Sequence, residues 1–147
     1  MPEILIREMQ AADINEIMEI ERKSFSTPWS ELSFLNEMYD LNSISKVAVF
    51  KNNISGYICV KKIFDEGHIL NLAVHPDFRR CGIASALMKE VLDELKKKGC
   101  RFLLLEVRIS NLAAKKFYER FGFRVITIRK KYYTSPIEDA ALMMCWL

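Results

Sequence analysis

The stretch Asn71-Leu-Ala-Val-His-Pro-Asp-Phe-Arg-Arg-Cys-Gly-Ile-Ala84 constrains this chain more than any other. An apolar run suited to a strand enters a Pro-Asp turn, and two arginines and a glycine stand where an amphipathic helix begins. The first turn of a helix presents unpaired N–H groups and the positive end of the helix dipole, so the junction is an anion site. Gly82 lets a ligand approach the backbone closely. Arg79 and Arg80 add fixed positive charge suited to phosphate oxygens. The site is built for a phosphorylated cofactor. There is no G-x-x-x-x-G-K-[ST] and no G-x-G-x-x-G, so kinase, GTPase and dinucleotide-dehydrogenase readings lose support.

Hydrophobic spacing places the rest. Ile4–Glu8 alternates as a strand. Ile14, Ile17 and Met18 share one face of a helix over Asp13–Ser24, and Ser30 caps a second short helix through Met38. Lys46–Lys51 and Ser55–Phe64 read as strands joined by a tight turn at Asn52-Asn53, and Ile69–Val74 as a third. The helix from about Gly82 to Lys98 carries Ala84, Leu87, Met88, Val91, Leu92 and Leu95 as a stripe for docking on a sheet, and Gly99 ends it. Phe102–Val107 is a buried strand. Asn111 caps a short helix with Ala114, Phe117, Tyr118 and Phe121 inward and Gly122 at its end, and strands near Val125–Lys131 and Ala140–Trp146 close the chain. The expectation is one α/β domain over residues 1–147, with a mixed sheet of hairpins in the middle and helix crossovers later.

Composition narrows the function classes. A net charge of +3 with interspersed signs is too weak to argue for nucleic acid, though it suits an anionic cofactor. Cys59, Cys81, Cys100 and Cys145 form no C-x-x-C pair and no His cluster accompanies them, which argues against a zinc site or a disulfide framework. No segment has signal-peptide character or the length of a membrane span, so a cytoplasmic protein without a membrane partner is expected.

Three residues bear on chemistry. Glu106 lies inside the apolar run Phe102-Leu-Leu-Leu-Glu-Val107. A buried carboxylate is costly unless paired, and desolvation raises its pKa toward neutrality, where it serves as a general base. The other reading has Glu106 ending the strand and pairing with Arg108 or another cation, and spacing alone does not separate the two. Tyr118 follows one short helix later. Its phenol can donate a proton to a leaving group, but alone it reads as an inner-face core residue. Asn111 is a cap whose amide can also meet a ligand. His68 and His75 are isolated, and His75 reads as a packing or solvent-facing residue.

Taken together these residues resemble the GNAT superfamily of acetyl-CoA-dependent N-acetyltransferases. The family's Q/R-x-x-G-x-G/A motif stands here as Arg79-Arg80-Cys81-Gly82-Ile83-Ala84, between a strand and an amphipathic helix. A narrower likeness joins separate segments in order. Pro28-Trp-Ser30, Leu105-Glu-Val-Arg-Ile-Ser-Asn-Leu-Ala-Ala114, Phe117-Tyr-Glu-Arg-Phe-Gly-Phe123, Arg129-Lys-Lys-Tyr-Tyr133 and Glu138-Asp139 resemble the RimI-type ribosomal-protein alanine N-acetyltransferases. Ala84 stands where bacterial members often carry Gly, and Cys81 replaces a commonly basic residue.

The resemblance implies a mixed, mostly antiparallel sheet of about seven strands flanked by about four helices, splayed between Ile69–Val74 and Phe102–Val107 to hold acetyl-CoA. It implies that Leu72, Ala73 and Val74 pair with the pantetheine arm, with the Val74 N–H as an oxyanion donor. Arg79, Arg80, Cys81, Gly82, Ile83, Ala84 and Ser85 cradle the pyrophosphate, and Asn111 holds the pantetheine end. Glu106 is the base and Tyr118 the acid. Trp29, Tyr132 and Tyr133, with Tyr39, flank an acceptor that is a protein N-terminus, the alanine of a small-subunit ribosomal protein. A broader N-terminal or small-amine acetyltransferase, and a non-catalytic acyl-CoA-binding module, are the alternatives.

Overall fold

Seven strands form one sheet in the order β1-β2-β3-β4-β5-β7-β6 in the computed structural model, which describes residues 3–147. The strands are β1 (Ile4–Glu8), β2 (Ser43–Phe50), β3 (Asn53–Ile63), β4 (Glu66–Val74), β5 (Phe102–Arg108), β6 (Arg124–Thr134) and β7 (Ile137–Trp146). The helices are α1 (Ile14–Ser24), α2 (Glu31–Met38), α3 (Ile83–Lys97) and α4 (Leu112–Arg120). Every neighbouring pair is antiparallel except β4 with β5, which follow one another through α3 and run parallel. The expected element order and mixed sheet are therefore present.

Two apolar clusters sandwich the sheet. On one face Ile83, Leu87, Met88, Val91 and Leu95 of α3 pack on Ile58, Val60, Leu103, Leu105 and Met143, with Phe117, Tyr118 and Phe121 of α4 against the same cluster. On the other face Ile17, Met18 and Ile20 of α1 and Phe34 of α2 pack on Val47, Tyr57, Cys59 and Ala73. Cys59, Cys100 and Cys145 are buried and free, as small hydrophobes.

Several boundaries differ from the sequence reading. The β2–β3 turn falls at Lys51-Asn52, one residue early. Both residues take left-handed φ angles of 51° and 65°, the pattern that matches hairpin twist, and Asn53 pairs with Phe50 inside the ladder. β4 begins at Glu66 because the ladder to β3 extends through Gly67 and His68, whose polarity hides a strand.

The larger difference is in β4 itself. Cys59 faces Asn71 and Val60 faces Ile69, so Leu70 is an extra residue, a β-bulge. A bulge reverses which face each side chain occupies. Gly67 and Ile69 lie toward α3, whereas Asn71 and Ala73 lie toward α1. The β4–β5 ladder covers only Glu66–His68 against Phe102–Leu104 and then stops. Past the bulge the two strands part, and the sheet opens.

Gly56 sets how closely α3 approaches this opening. A Cβ there would lie 2.9 Å from the Ala73 carbonyl and 2.9 Å from Ile83 Cγ2, at the start of α3. Gly56→Ala is expected to cost about 1–3 kcal/mol through overpacking and to push the N-terminus of α3 off the sheet. Thermal melting of the variant against wild type checks it; an unchanged Tm would contradict the contact.

Ahead of α1, Arg7 holds the Asp13 carboxylate through two bonds of 2.8 Å, and the Gln10 N–H adds a third at 2.8 Å. The Arg7 bond, then that N–H, hold the Asp13 pKa below its ordinary 3.8. Stabilisation from a depressed carboxylate is complete above the unfolded value and is lost as pH falls through the folded one. Asp13→Asn should lower Tm near neutral pH and flatten the loss of Tm below pH ~4. Parallel pH curves for the two proteins would refute this.

Candidate active site

Where β4 and β5 part, a cleft of about 440 Å³ passes through the sheet. Ile69–Leu72 form one wall and Leu105–Arg108 the other. Phe25, Ser26, Thr27 and Trp29 of the α1–α2 loop border one face, and Asn111, Ala114 and Tyr118 of the α4 segment border the opposite face.

The wall on β4 presents unpaired backbone. The His75 N–H donates to the Ser55 carbonyl at 2.8 Å, which closes the β3–β4 ladder. Because backbone groups alternate along an antiparallel pair, Ala73 turns its N–H and C=O to Tyr57, and Leu72 and Val74 turn theirs into the gap. Of the three residues expected to bind an extended ligand arm, Ala73 is therefore committed to β3. Leu72 and Val74 remain as donors and acceptors.

At the end of β4 the chain turns through Pro76–Phe78 into the loop before α3. His75 packs edge-on against Phe78 and accepts the Asp77 N–H at 3.0 Å, so it serves the turn, as expected. Arg80 and Gly82 take left-handed φ angles of 62° and 82°. Gly82 occupies the N-cap of α3, and the first helical bond runs from the Ala86 N–H to the Gly82 carbonyl. The N–H groups of Ile83, Ala84 and Ser85 thus precede the hydrogen-bonded ladder, and no acid lies in that first turn. Arg79, Arg80 and Cys81 are exposed beside them. This is an anion cradle, and it lies apart from the residues lining the cleft.

Glu106 is on the β5 wall. Leu103, Leu105 and Val107 enter the α3-side core, so alternation turns Glu106 to the α1 side of the sheet. Its side chain is 10% exposed, and its Oε2 lies 2.7 Å from His68 Nε2. The expectation that His68 is isolated is overturned. Two strands adjacent only through this short parallel ladder bring together residues 38 apart in sequence. Arg129 approaches Oε1 at 3.9 Å. Arg108 is not the partner, because it pairs with Glu138 at 3.2 Å. Glu106 is buried with His68 as its near partner, and β5 runs on through Arg108 rather than ending at it.

Tyr118 faces the gap from the opposite side, packed against Phe117 and Phe123. Among the described residues its hydroxyl has no hydrogen-bond partner. Burial first, and then the neighbouring Tyr133 phenol, push its pKa up, so the hydroxyl stays protonated through the neutral range. Asn111 caps α4 by accepting the Ala114 N–H at 3.1 Å through Oδ1, which leaves its amide N–H groups for the cleft.

The acceptor-side aromatics divide. Trp29 and Tyr133 line the cleft. Tyr133 lies under the Arg108 guanidinium, 4.3 Å from its ring centre, and burial is the first cause that pushes its pKa up to about 12. Tyr132 is not among the lining residues; it stacks edge-on with Tyr133 and under Arg129. Tyr39 is exposed elsewhere. The β6–β7 turn closes the mouth, with Ser26 donating to the Ser135 carbonyl at 2.8 Å and Arg108 donating to the Ser135 and Pro136 carbonyls. These links, and a buried carboxylate at Glu21 on the cleft wall, had no local sequence signal.

A sheet opened between parallel neighbours, with free helix N-terminal N–H groups beyond β4 and a carboxylate and a phenol facing the gap from opposite sides, suits acyl transfer. The family model for the Acetyltransferase (GNAT) family matches residues 14–123, and the chain belongs to that family of N-acetyltransferases. Among its relatives, the ribosomal protein bS18-alanine N-acetyltransferase of Escherichia coli (strain K12) is 36% identical over 146 residues, covering 94% of each chain. The protein of the same name from Haemophilus influenzae is 33% identical over 146 residues, covering 97% of this chain and 99% of its own. The crystal structure of the ribosomal-protein-S18-alanine N-acetyltransferase from Escherichia coli superposes with a TM-score of 0.90 over 98% of this chain and 94% of that one, at 33% identity.

GNAT enzymes use acetyl-CoA, and the cradle and the free Leu72 and Val74 backbone fit its phosphates and its amide-bearing arm. Replacing Arg79 and Arg80 together by alanine should raise the CoA dissociation constant by about 2- to 30-fold and make it less dependent on salt. Titration calorimetry at two ionic strengths tests this; an unchanged constant would separate the loop from the phosphates.

Proposed function

We propose that this chain acetylates the α-amine of a protein N-terminus, with an alanine of a small-subunit ribosomal protein as the acceptor, in the cytoplasm. The observation that carries the reading is the placement of Glu106 and Tyr118 on opposite faces of the sheet, at the one gap between β4 and β5. The bS18-directed names of relatives covering nearly the whole chain support the acceptor. Among the described residues no helix is long and apolar enough to cross a membrane.

Bound acetyl-CoA supplies the acetyl group as a thioester. Ile83, Ala84 and Ser85 offer N–H groups to its phosphates, with Arg79, Arg80, Cys81 and Gly82 shaping the loop. Leu72 and Val74 continue the sheet onto its arm as an added strand does, and Asn111 donates from the α4 side. The acceptor enters from the α1–α2 loop, between Trp29 and Tyr133.

An α-ammonium has an ordinary pKa near ~8 and must lose a proton before it attacks. Glu106 faces that side and receives the proton at its carboxylate, directly or through water. His68 at 2.7 Å fixes which carboxylate oxygen remains available. On the opposite face Tyr118 holds a proton on a phenol kept neutral by burial and passes it to the departing sulfur. The closure of the mouth by Ser26, Arg108 and the Ser135–Pro136 turn fixes the direction of approach, which is a positioning contribution.

Glu106→Gln should lower kcat with an Ala-starting peptide by roughly 10²–10⁴-fold while CoA affinity stays within about twofold of wild type. Tyr118→Phe should also lower kcat, with the same affinity. Thiol release and mass spectrometry of the peptide give the readouts. Wild-type protein that binds CoA tightly yet acetylates no amine would instead establish an acyl-CoA-binding module.

A further inference from the structure

Glu21 is the most buried carboxylate on the cleft wall, 1% exposed, and no Lys, Arg or His among the described residues lies within ion-pair distance of it. A buried charge is ordinarily neutralised by a cation. Here three uncharged donors hold it instead: the Tyr57 hydroxyl and the Asn71 amide on Oε1, the latter at 2.8 Å, and the Trp29 N–H on Oε2 at 2.8 Å.

A carboxylate only accepts hydrogen bonds, so each of these neighbours must donate. For Asn71 that requirement fixes the amide. Its Nδ2 points to Glu21 and its Oδ1 is turned away. Asn71 is 8% exposed and lines the cleft, and its Oδ1 has no protein partner among the described residues. It is also not sealed from the cleft, since the only enclosed and unpartnered side-chain polar atoms among the described residues are the Ser24 and Ser45 hydroxyls. Donating to an anion polarises the amide and makes Oδ1 a stronger acceptor. The Leu70 bulge is what brings Asn71 to the α1 side, the same side as Glu106. The acceptor half of the cleft thus has an anion-backed acceptor on β4 and a carboxylate on β5.

Resting on the proposed N-terminal acceptor, we propose that Asn71 Oδ1, oriented by Glu21, receives an N–H of the substrate's α-amine and holds that amine at the gap. The chemical class recognised is a primary α-ammonium group. Glu21 acts through Asn71 and, by the same carboxylate, anchors Trp29 at the cleft mouth; it is a positioning residue.

The test is calorimetric binding to the full-length, CoA-loaded protein of two peptides, one starting with alanine and one in which the α-amine is replaced by hydrogen. Wild type should prefer the amine-bearing peptide by on the order of 10-fold or more. Asn71→Leu should reduce that preference and raise the peptide KM, with CoA affinity and the acetyl-CoA KM unchanged. If Asn71→Leu does not melt as wild type does, Glu21→Gln carries the test. It keeps the size of the side chain but lets the Asn71 amide turn over, so the preference should again fall. An undiminished preference in the folded variant overturns the assignment while leaving the proposed function intact. If wild type neither binds nor acetylates the alanine peptide, the function reading fails and this inference fails with it.

Discussion

The structure depends on a refusal to pair. β4 and β5 are parallel neighbours for three residues each and then separate, so a sheet that is otherwise continuous acquires a slot. A cut through the middle of a sheet exposes backbone groups that would be costly to bury unsatisfied. The fold limits that cost by holding β4 on its other edge through β3 and β5 on its other edge through β7. Leu72 and Val74 on β4, and by the same alternation Glu106 and Arg108 on β5, keep their backbone polar groups facing the slot, where they fit an extended, amide-containing ligand.

The slot also separates two electrostatic environments that the reaction needs at once. Beyond β4, apart from the cleft lining, the chain offers N–H groups of α3 and two exposed arginines, with no acid in the helix's first turn. On the α1 side it offers Glu106 and Glu21; Arg108 is engaged with Glu138, while His68 at 2.7 Å and Arg129 at 3.9 Å approach Glu106. The loop before α3 suits a polyanionic ligand, and the carboxylates of the cleft suit a cationic amine. Alternation along β5 and the inner face of α4 put Glu106 and Tyr118 on different sides of the sheet, which suits the division of proton acceptance and donation proposed for them.

What the sequence reveals and what it conceals follow the range of the interactions involved. The α3 stripe, the Gly82 cap, the Asn111 cap and the β5 run are local patterns, and each lies where periodicity and capping chemistry put it. The gap is legible only through resemblance, and the roles proposed for Glu106 and Tyr118 rest on it too. The Leu70 bulge had no local mark, because an inserted residue in an apolar run looks like any other. Missing the bulge hid the face of Asn71, and with it the Glu21 cluster. His68 looked isolated because its partner is 38 residues away and meets it only across the short parallel ladder. Ala73 was grouped with its neighbours because an apolar run does not show which backbone groups a bulged ladder has already used.

The acceptor mouth is built differently from the slot behind it. The slot rests on buried apolar packing and on Gly56, where a methyl group has no room. The mouth rests on polar contacts between segments distant in sequence: Ser26 to Ser135, Arg108 to the same turn, and Glu21 to the Trp29 N–H. The exposed links, Ser26 to Ser135 and Arg108 to the turn, contribute little stability each, whereas core packing and the bond of the buried Glu21 are changed only at a cost of kilocalories. Exposed residues of the α1–α2 loop and the β6–β7 turn can therefore vary with small effect on folding, at the place where the proposed acceptor enters. Those of β4, β5 and α3 hold the chemistry fixed. Asn71 and Glu21 lie at the boundary between the two. They belong to the rigid part by burial and to the mouth by what they touch, so the amine contact proposed for Asn71 ties the mouth to the gap.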